Sequence, residues 1–401
     1  MAGVNRSPTF LVQTQKQKSI LAEFQKNQQH LEEQYQKNKP LSFAARTYQC
    51  THPAKRKLGY KDADATLISP VILGVCDGVS QLEEFGMDPS LLPRELLRAC
   101  EEIAVGQLLP DLQGAGEVYS GPIALLKEAY ESTESYGSTT VLLAALDNST
   151  RIHGKCHPMI AVLSIGDCEL LMMRRTRGKT SPFEAVFHTE MQRIDSNVQT
   201  PLQLARVDGR IDDDFDESIA LEVIEKGSAV HCISAYEGDI VVLGSDGLFD
   251  NLFLDEIVEV CNQVLKPGMR STAAIFDQLT QRLVRLAHAK APENGEGKET
   301  PIGRGGKADD TSVVVGEVVE MTEAHREACE QVVRDKQWAG MLACGGAGTS
   351  RRHFSRSAVG VCSTCNYVDF DDDEGPRKPR PGQSRGGGVV DAEEEDTCTI
   401  L

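Results

Sequence analysis

The feature of this sequence that most constrains its fold is a repeated unit, in which a short apolar run leads directly into an aspartate beside a glycine. Runs of this length and composition are typical of strands that are buried on both faces. The repeat therefore predicts sheets whose strand ends carry carboxylates to a common rim. The three units are Val71–Cys76 with Asp77-Gly78, Ile160–Ile165 with Gly166-Asp167, and Ile240–Ser245 with Asp246-Gly247.

Each unit has a second interpretation, because an Asp-Gly pair after an apolar run is commonly a hairpin turn. We expect such a turn at Gly166-Asp167, since Ile165 and Leu170 flank it like the two arms of a hairpin. Asp77 and Asp246 are each followed by a loop and a helical pattern, so a two-residue turn does not account for them.

Two further acidic positions lie just before predicted strands. Asp309-Asp310 immediately precedes the run Thr311–Val315, and Asp64 lies one short segment before the first strand. Several carboxylates buried at one rim would repel one another strongly unless cations neutralise them.

The residue types favour particular cations. Aspartate oxygens and a backbone carbonyl, with no His or Cys in the set, favour magnesium or manganese over zinc. Two such ions at one site can activate a water for in-line attack on a phosphoryl group without a protein nucleophile. The residues by themselves therefore predict a two-metal phosphohydrolase.

The chain divides by composition into a polar leader at 1–42, a folded domain at 43–322 and a largely disordered tail at 323–401. Within the domain, short β-rich runs alternate with amphipathic helical patterns, which predicts sheets covered by helices. The predicted helices are Leu91–Leu108, Ile123–Glu131, Leu254–Leu265 and Ala273–Ala289. Besides those named above, predicted strands cover Thr139–Leu146 and Leu170–Met173.

Charge and cysteine content exclude several classes of protein. The formal net charge is −18, from 42 Lys+Arg and 60 Asp+Glu, which argues against a nucleic-acid partner. The 12 cysteines are scattered without a framework, which is typical of a reducing compartment, so we expect a cytoplasmic protein. An acid-free start with Arg6, Lys16 and Lys18 leaves a mitochondrial location as the alternative.

Six motifs, in order along residues 45–320, closely resemble the PPM or type-2C family of metal-dependent serine/threonine protein phosphatases. Within that family the chain is most similar to the branch with Asp-Gly-Val in place of Asp-Gly-His. The motifs are Asp64-Ala65, Gly74-Val75-Cys76-Asp77-Gly78-Val79, Gly137-Ser138-Thr139-Thr140, Ile165-Gly166-Asp167, Ser245-Asp246-Gly247-Leu248-Phe249-Asp250-Asn251 and Lys307-Ala308-Asp309-Asp310-Thr311-Ser312-Val313.

The resemblance implies an α+β fold, an αββα sandwich of two antiparallel sheets flanked by helix pairs, with a metal pair at one end. It also implies hydrolysis of phosphoserine and phosphothreonine in a phosphoprotein substrate, with magnesium or manganese as the cofactor. Gly137-Ser138-Thr139 would be a packing and turn element rather than a catalytic triplet. The implied roles are Asp77 bridging two ions, the Gly78 carbonyl binding one, Asp246 and Asp309 completing the other shell, Asp64 near the second ion, and Asp167 and Asp250 at a third, weaker metal position.

The sequence departs from the family pattern near two of these positions. Ala63 stands where an acidic residue is common, with Asp62 one place further back, and Val79 replaces the histidine that other branches use as a general acid. No arginine matches the phosphate clamp of the family. Arg56, Lys57 and Lys61 are the candidates to substitute for it.

Other functional interpretations compete with this one. Asp62-Ala63-Asp64-Ala65-Thr66 fits the nucleophile motif of haloacid-dehalogenase-type phosphatases, but that motif needs an apolar strand directly before it. A non-enzymatic alternative is a catalytically weak, phosphatase-like scaffold that a prenylated tail holds at a membrane. Cys362 and Cys365 could form half of a zinc site or could be acylated.

The last four residues predict lipidation. Cys398-Thr399-Ile400-Leu401 satisfies the C-a-a-X pattern, and a final leucine favours a geranylgeranyl group on Cys398. We therefore expect peripheral membrane contact through this anchor and a partly membrane-associated protein.

Overall fold

The computed structural model describes residues 40–344, except for 60, 110–117, 154, 196–197, 213, 269–270 and 293–296. Its strands are β1 (Leu41–Cys50), β2 (Ala65–Ile68), β3 (Ile72–Cys76), β4 (Gly137–Thr139), β5 (Val141–Asp147), β6 (Arg151–Ile152), β7 (Lys155–Cys156), β8 (Met159–Ile165), β9 (Glu169–Arg174), β10 (Glu184–His188), β11 (Arg193–Asp195), β12 (Val198–Pro201), β13 (Leu204–Arg206), β14 (Ala229–Ser234), β15 (Ile240–Gly244), β16 (Glu299–Thr300), β17 (Gly303–Arg304) and β18 (Thr311–Glu320).

Helices separate the strands at most of the positions that the sequence predicts. A 3-10 turn covers Ser80–Phe85 and a π-helical turn covers Val223–Gly227. The α-helices are α1 (Pro53–Leu58), α2 (Leu91–Leu108), α3 (Pro122–Ser132), α4 (Glu217–Glu222), α5 (Asp246–Phe249), α6 (Leu254–Val264), α7 (Ala273–Lys290) and α8 (Glu323–Cys344).

The larger strands form two five-stranded sheets. The first, sheet I, has the order β1-β18-β15-β9-β10, and the second, sheet II, has the order β14-β8-β5-β3-β2. All neighbouring strands in both sheets run antiparallel. The predicted α+β class and the antiparallel sheets are thus confirmed.

Alternate side chains along each strand are buried on opposite faces of the sheet, so each sheet contributes to two apolar layers. In β3, Leu73 and Val75 face the layer between the sheets, whereas Ile72 and Cys76 belong to the layer beneath the helices. Because successive side chains of a strand point to opposite faces, a strand that is apolar throughout can fill both layers. This explains why the runs in the sequence lack polar positions.

Helices cover the outer face of each sheet. Helices α2 and α3 pack on sheet II, and α6 and α7 pack on sheet I, each through a stripe of fully buried side chains. The result is the αββα sandwich that the family resemblance implies. On sheet II the stripes include Leu96, Cys100, Leu126 and Tyr130, and on sheet I they include Ile257, Cys261, Phe276 and Leu283.

The hairpin that the sequence predicts at Gly166-Asp167 is wrong. Strand β8 lies in sheet II and β9 in sheet I, so this connection passes from one sheet to the other. Gly166 makes the passage possible with φ at +102°, a conformation that an L side chain rarely adopts. The local pattern of a turn is the same in both cases, and only the hydrogen-bond partners of the strands distinguish them.

The predicted end of the domain at 322 is also wrong. Helix α8 begins at Glu323, and Cys329 and Val333 on it are buried in the apolar layer that covers sheet II. The leader and the remaining tail, with Cys362, Cys365 and Cys398, lie outside the described residues, so their lipidation or zinc binding stays a prediction. Within the part that is described, no helix has the length and apolarity that a membrane span requires.

Candidate functional site

Asp77 lies directly after β3, where the strand leaves sheet II. The hydroxyl of Thr140 accepts a hydrogen bond from the backbone N–H of Asp77 at 3.0 Å, and the Thr140 N–H donates to the Asp77 carbonyl at 2.9 Å. The Thr139 hydroxyl also donates to that carbonyl, at 3.0 Å. The predicted packing role of the Gly-Ser-Thr segment therefore extends to its hydroxyl groups, which fix the backbone of Asp77.

Gly78 is required by close packing of the backbone. A Cβ at this position would lie 2.5 Å from the carbonyl oxygen of Ala63 and 2.6 Å from that of Pro89. No side chain is accommodated at such distances without a backbone shift. Gly78 thereby keeps the Asp77 segment close to the chain that leads into Asp64.

Asp246 and Asp309 are brought together by a lysine and an asparagine. The ammonium of Lys307 contacts Asp246 and lies 2.8 Å from Oδ2 of Asp309. Asn251, which is buried, donates from Nδ2 to the carbonyls of Gly247 and Lys307 at 2.8 Å each, and its Oδ1 accepts from the Lys307 N–H at 2.9 Å. The helix that starts at Asp246 and the loop that carries Asp309 are thus joined.

Lys55 and two more aspartates, Asp62 and Asp310, lie beside these residues. The carboxyl groups here form the acidic cluster: Asp62, Asp64, Asp77, Asp246, Asp309 and Asp310. Lys55, on α1, contacts Asp309 and lies 3.2 Å from Oδ2 of Asp310. The carboxylate of Asp62 accepts a hydrogen bond from the Asp64 N–H at 3.1 Å. The residues before Asp62 include α1 rather than a strand, so the haloacid-dehalogenase interpretation lacks the strand it needs.

Burial and mutual repulsion oppose ionisation of these carboxyl groups. Burial and the charge of Asp62 raise the pKa of Asp64 well above its usual range. Burial and the charges of Asp64, Asp246 and Asp309 do the same for Asp77, which shows that the four groups share one electrostatic environment. Burial raises the pKa of Asp246 to about 6 in spite of Lys307.

Asp309 differs from the others. Burial also opposes its charged form, but Lys307 and Lys55 outweigh burial, and the pKa of Asp309 is lowered. For Asp62, burial and the charge of Asp310 raise the pKa to about 6. The cluster therefore has more carboxyl groups than its two lysines can neutralise, and an added cation would favour their ionised forms.

Hydrogen-bond accounting indicates the same need for cations. Four carboxylate oxygens at this rim are buried without a hydrogen-bond partner, although a buried acceptor without a partner costs stability. Hard oxygen donors of this kind are the ligands that Mg²⁺ and Mn²⁺ prefer. The four atoms are Asp64 Oδ2, Asp167 Oδ1, Asp246 Oδ1 and Asp310 Oδ1.

The acidic residues fit a divalent ion by chemistry, while the two lysines hold them in another arrangement. Among the described residues, no three acidic, histidine or cysteine side chains are already spaced to hold a metal ion. The ammonium groups of Lys307 and Lys55 lie against the same carboxylates that an ion would use. Lys307 contacts only one oxygen of Asp246, and the other, Oδ1, has no partner and is available to an ion.

Asp167 and Asp250, the predicted third metal position, are paired with Arg193. Its Nε lies 3.2 Å from Oδ2 of Asp167, and its Nη2 lies 2.9 Å and 2.7 Å from the two oxygens of Asp250. Both carboxylates are 1% exposed. A guanidinium thus contacts both acids of the predicted position.

Sequence reasoning missed the residues that act through tertiary contact: Lys55, Arg193, Asn251 and Lys307. Of the cations proposed for the phosphate clamp, Arg56 donates instead to the Cys50 thiol at 3.7 Å, whereas its neighbour Lys55 reaches the site. Asn251 and Lys307 lie within the recognised motifs, which was a usable signal. Lys55 and Arg193 carried no signal of their own.

The curated relatives that match this chain are named as type-2C protein phosphatases. No family profile matches the sequence. The chain is 28% identical over 291 residues to "Probable protein phosphatase 2C 55" of Arabidopsis thaliana, a match that covers 70% of this chain and 52% of that protein. It is 26% identical over 292 residues to "Probable protein phosphatase 2C 26" of the same plant, with 70% and 85% covered. The chain thus spans about half the length of the first relative.

A solved phosphatase structure also matches this chain. "X-ray structure of the photosystem II phosphatase PBCP" matches with 25% identity and a TM-score of 0.46, covering 70% of this chain and 100% of that one. Independently of this likeness, the curated relatives, the six motifs in order and the acidic rim between the sheets agree with one another. The chain is thus similar to protein phosphatases of the type-2C, or PPM, family.

Proposed function

We propose that this protein is a metal-dependent serine/threonine phosphatase that hydrolyses phosphoserine and phosphothreonine in protein substrates. The observation that carries the proposal is the rim at which Asp64, Asp77, Asp246 and Asp309 share one environment with buried, unpartnered carboxylate oxygens. Such an arrangement weakens a fold unless the site has a ligand, and the type-2C phosphatases that the chain resembles use metal ions at such a site.

Manganese or magnesium fits the donor set, and Asp64, Asp77, Asp246 and Asp309, with the Gly78 carbonyl, would hold it. A pair of such ions supplies an activated water and neutralises charge on the phosphoryl group. Residues of both sheets position the ligands of this site. Thr139 and Thr140 fix the Asp77 backbone on sheet II, and Asn251 ties the Asp246 and Asp309 segments on sheet I.

The cations of the site have a separate task. With a metal ion at the carboxylates, the ammonium groups of Lys55 and Lys307 would be free to contact a phosphate monoester at the same rim, because the monoester carries two negative charges. We assign to Lys55 the phosphate contact for which no family arginine is present, because it reaches the rim from α1 at the edge of the acidic cluster.

The test measures phosphate release by the purified full chain from phosphoserine, phosphothreonine and phosphotyrosine peptides, with manganese and with a chelator. We expect manganese-dependent release from the first two peptides and little from the third. Asp77→Asn and Asp309→Asn should each lose activity by more than about 100-fold, since even outer-sphere partners of metals are worth about 10–100-fold.

A matched control is Asp208→Asn, which removes a surface carboxylate paired with Arg210 at 2.9 Å. It should keep the activity of the wild type. Full activity of Asp77→Asn, or equal activity with and without the chelator, would contradict the proposal. The alternative of a catalytically weak scaffold finds no support in the relatives, and it would show as absence of phosphate release from every peptide.

A further inference from the structure

We infer that Arg193 acts as a tethered cation in place of a third metal ion at the Asp167–Asp250 pair. The inference rests on the proposed metal-dependent function but concerns a different position of the rim. It also assigns Arg193 a positioning role, because the guanidinium holds the segment that carries β11 against the rim.

The contacts of Arg193 account for both acids at once. Asp250 receives two hydrogen bonds from Nη2, at 2.7 Å and 2.9 Å, and Asp167 receives one from Nε at 3.2 Å. Charge-assisted pairs of this geometry are the strong ones among protein hydrogen bonds. Arg193 thus contacts three of the four carboxylate oxygens of the pair, and Asp167 Oδ1 is the one left without a hydrogen-bond partner.

The surroundings of Arg193 are acidic on several sides. Glu169, at the start of β9, follows Asp167 by two residues and interacts electrostatically with Asp250, Arg193 and Glu190. Lys307 is the other cation that acts on Asp167. Removal of the guanidinium would therefore leave an acidic pocket that a divalent ion can neutralise.

The backbone beside Arg193 is anchored to the connection between the sheets. Gln192 donates its N–H to the Gly166 carbonyl at 2.8 Å, and its Oε1 accepts from the Gly166 N–H at 3.0 Å. Its Nε2 donates to the Gly227 carbonyl at 2.8 Å. These bonds fix the point from which the side chain of Arg193 reaches Asp167 and Asp250. An arginine held in this way need not be drawn from solution, unlike a metal ion.

The experiment counts manganese bound per chain in the full-length protein, by elemental analysis after equilibrium dialysis. We expect Arg193→Ala to bind one ion more than the wild type, and Arg193→Ala combined with Asp250→Asn to return to the wild-type number. The difference between variants tests the inference, whereas the absolute number in the wild type tests the proposed function.

The control is Arg174→Ala, which removes an arginine of similar exposure from Asp239, an equally buried aspartate away from the rim. It should leave the number of bound ions unchanged. Equal counts in the wild type and Arg193→Ala would overturn the inference. A third ion in the wild-type protein itself would also overturn it, and this result does not depend on how well any variant folds.

Discussion

A buried aspartate lies at each end of strand β15, and the two differ in their hydrogen-bond partners. At one end, Asp239 is 1% exposed and receives three hydrogen bonds, two from Arg174 at 2.6 Å and 2.7 Å and one from the Tyr236 N–H at 2.8 Å. At the other end, Asp246 is 2% exposed, contacts Lys307 through one oxygen and has Oδ1 without a partner.

Burial raises the pKa of both aspartates, so the direction of the pKa shift does not distinguish a structural carboxylate from a functional one. The accounting of hydrogen bonds does distinguish them. Asp239 has the partners that a buried charge needs in order to stabilise a fold. Asp246 lacks them, and the carboxylates around it add repulsion. A buried acid that its own protein leaves unsatisfied indicates a position where a ligand completes the structure.

The sharpest way to break this comparison is to neutralise the rim aspartate. Asp246→Asn should lower phosphatase activity by more than about 100-fold, because it removes a proposed metal ligand. Its melting temperature without metal should be unchanged or raised, since repulsion within the acidic cluster is relieved. Steady-state kinetics and thermal melts in a chelator measure the two effects. A clear fall in the metal-free melting temperature would show that Asp246 is a structural residue like Asp239.

The same change at the other end of the strand should lower stability and leave catalysis intact. Asp239→Asn leaves Arg174 without its charged partner, and breaking a buried pair in this way costs about 3–5 kcal/mol. Denaturant unfolding should show that loss, while the folded fraction keeps the wild-type kcat and manganese requirement. A lowered kcat in the folded fraction would mean that the two ends of β15 are not functionally separate.

The pH dependence of the metal-free protein sharpens the comparison further. Asp246 has a pKa of about 6 in the folded state, above the usual 3.8, so the folded protein binds the extra proton between these values. Stability contributed by that proton is present at low pH and is lost as pH rises through about 6. Asp246→Asn should therefore stabilise the metal-free protein by about 1.4 kcal/mol more at pH 7.5 than at pH 5. Equal stabilisation at both pH values would contradict the raised pKa.

The smallest expected effect concerns Asp62, which accepts a hydrogen bond from the Asp64 N–H and lies beside the acidic cluster. The family pattern suggests that Ala63 weakens metal binding, and Asp62 is placed to compensate through an outer-sphere contact. Asp62→Asn should raise the manganese concentration for half-maximal activity about tenfold with little change in kcat. The matched control, Asp208→Asn, should leave the titration where it is in the wild type.

The sequence predicted the strands and the outer helices because both depend on local periodicity. The run at β3 has no polar position because its two faces fill two apolar layers, and this is visible without a structure. The acids at the strand ends were found for the same reason. Their convergence on one rim also follows from the antiparallel sheets that the resemblance implies.

The features that sequence reasoning missed depend on tertiary partners. Gly166-Asp167 has the local chemistry of a hairpin turn, and only the pairing of β9 with β15 rather than with β8 reveals a passage between sheets. Arg193 lies in a segment without a motif, and nothing in its neighbours along the chain indicates that it reaches Asp250. Cation partners of buried acids are selected by distance in the folded protein, which the order of residues does not encode locally.

The acids of the rim come from both halves of the sandwich. Asp64 and Asp77 adjoin β2 and β3 of sheet II, whereas Asp246 and Asp309 adjoin β15 and β18 of sheet I. Ions held by acids of both sheets would bind only while the halves stay together. Each bound ion would add to the free energy of separating them by mass action, about 2.7 kcal/mol at a hundredfold excess over its dissociation constant. The concentration of manganese or magnesium in the cell would then set the lifetime of the folded chain as well as its catalytic turnover. A shortage of metal would lower both together.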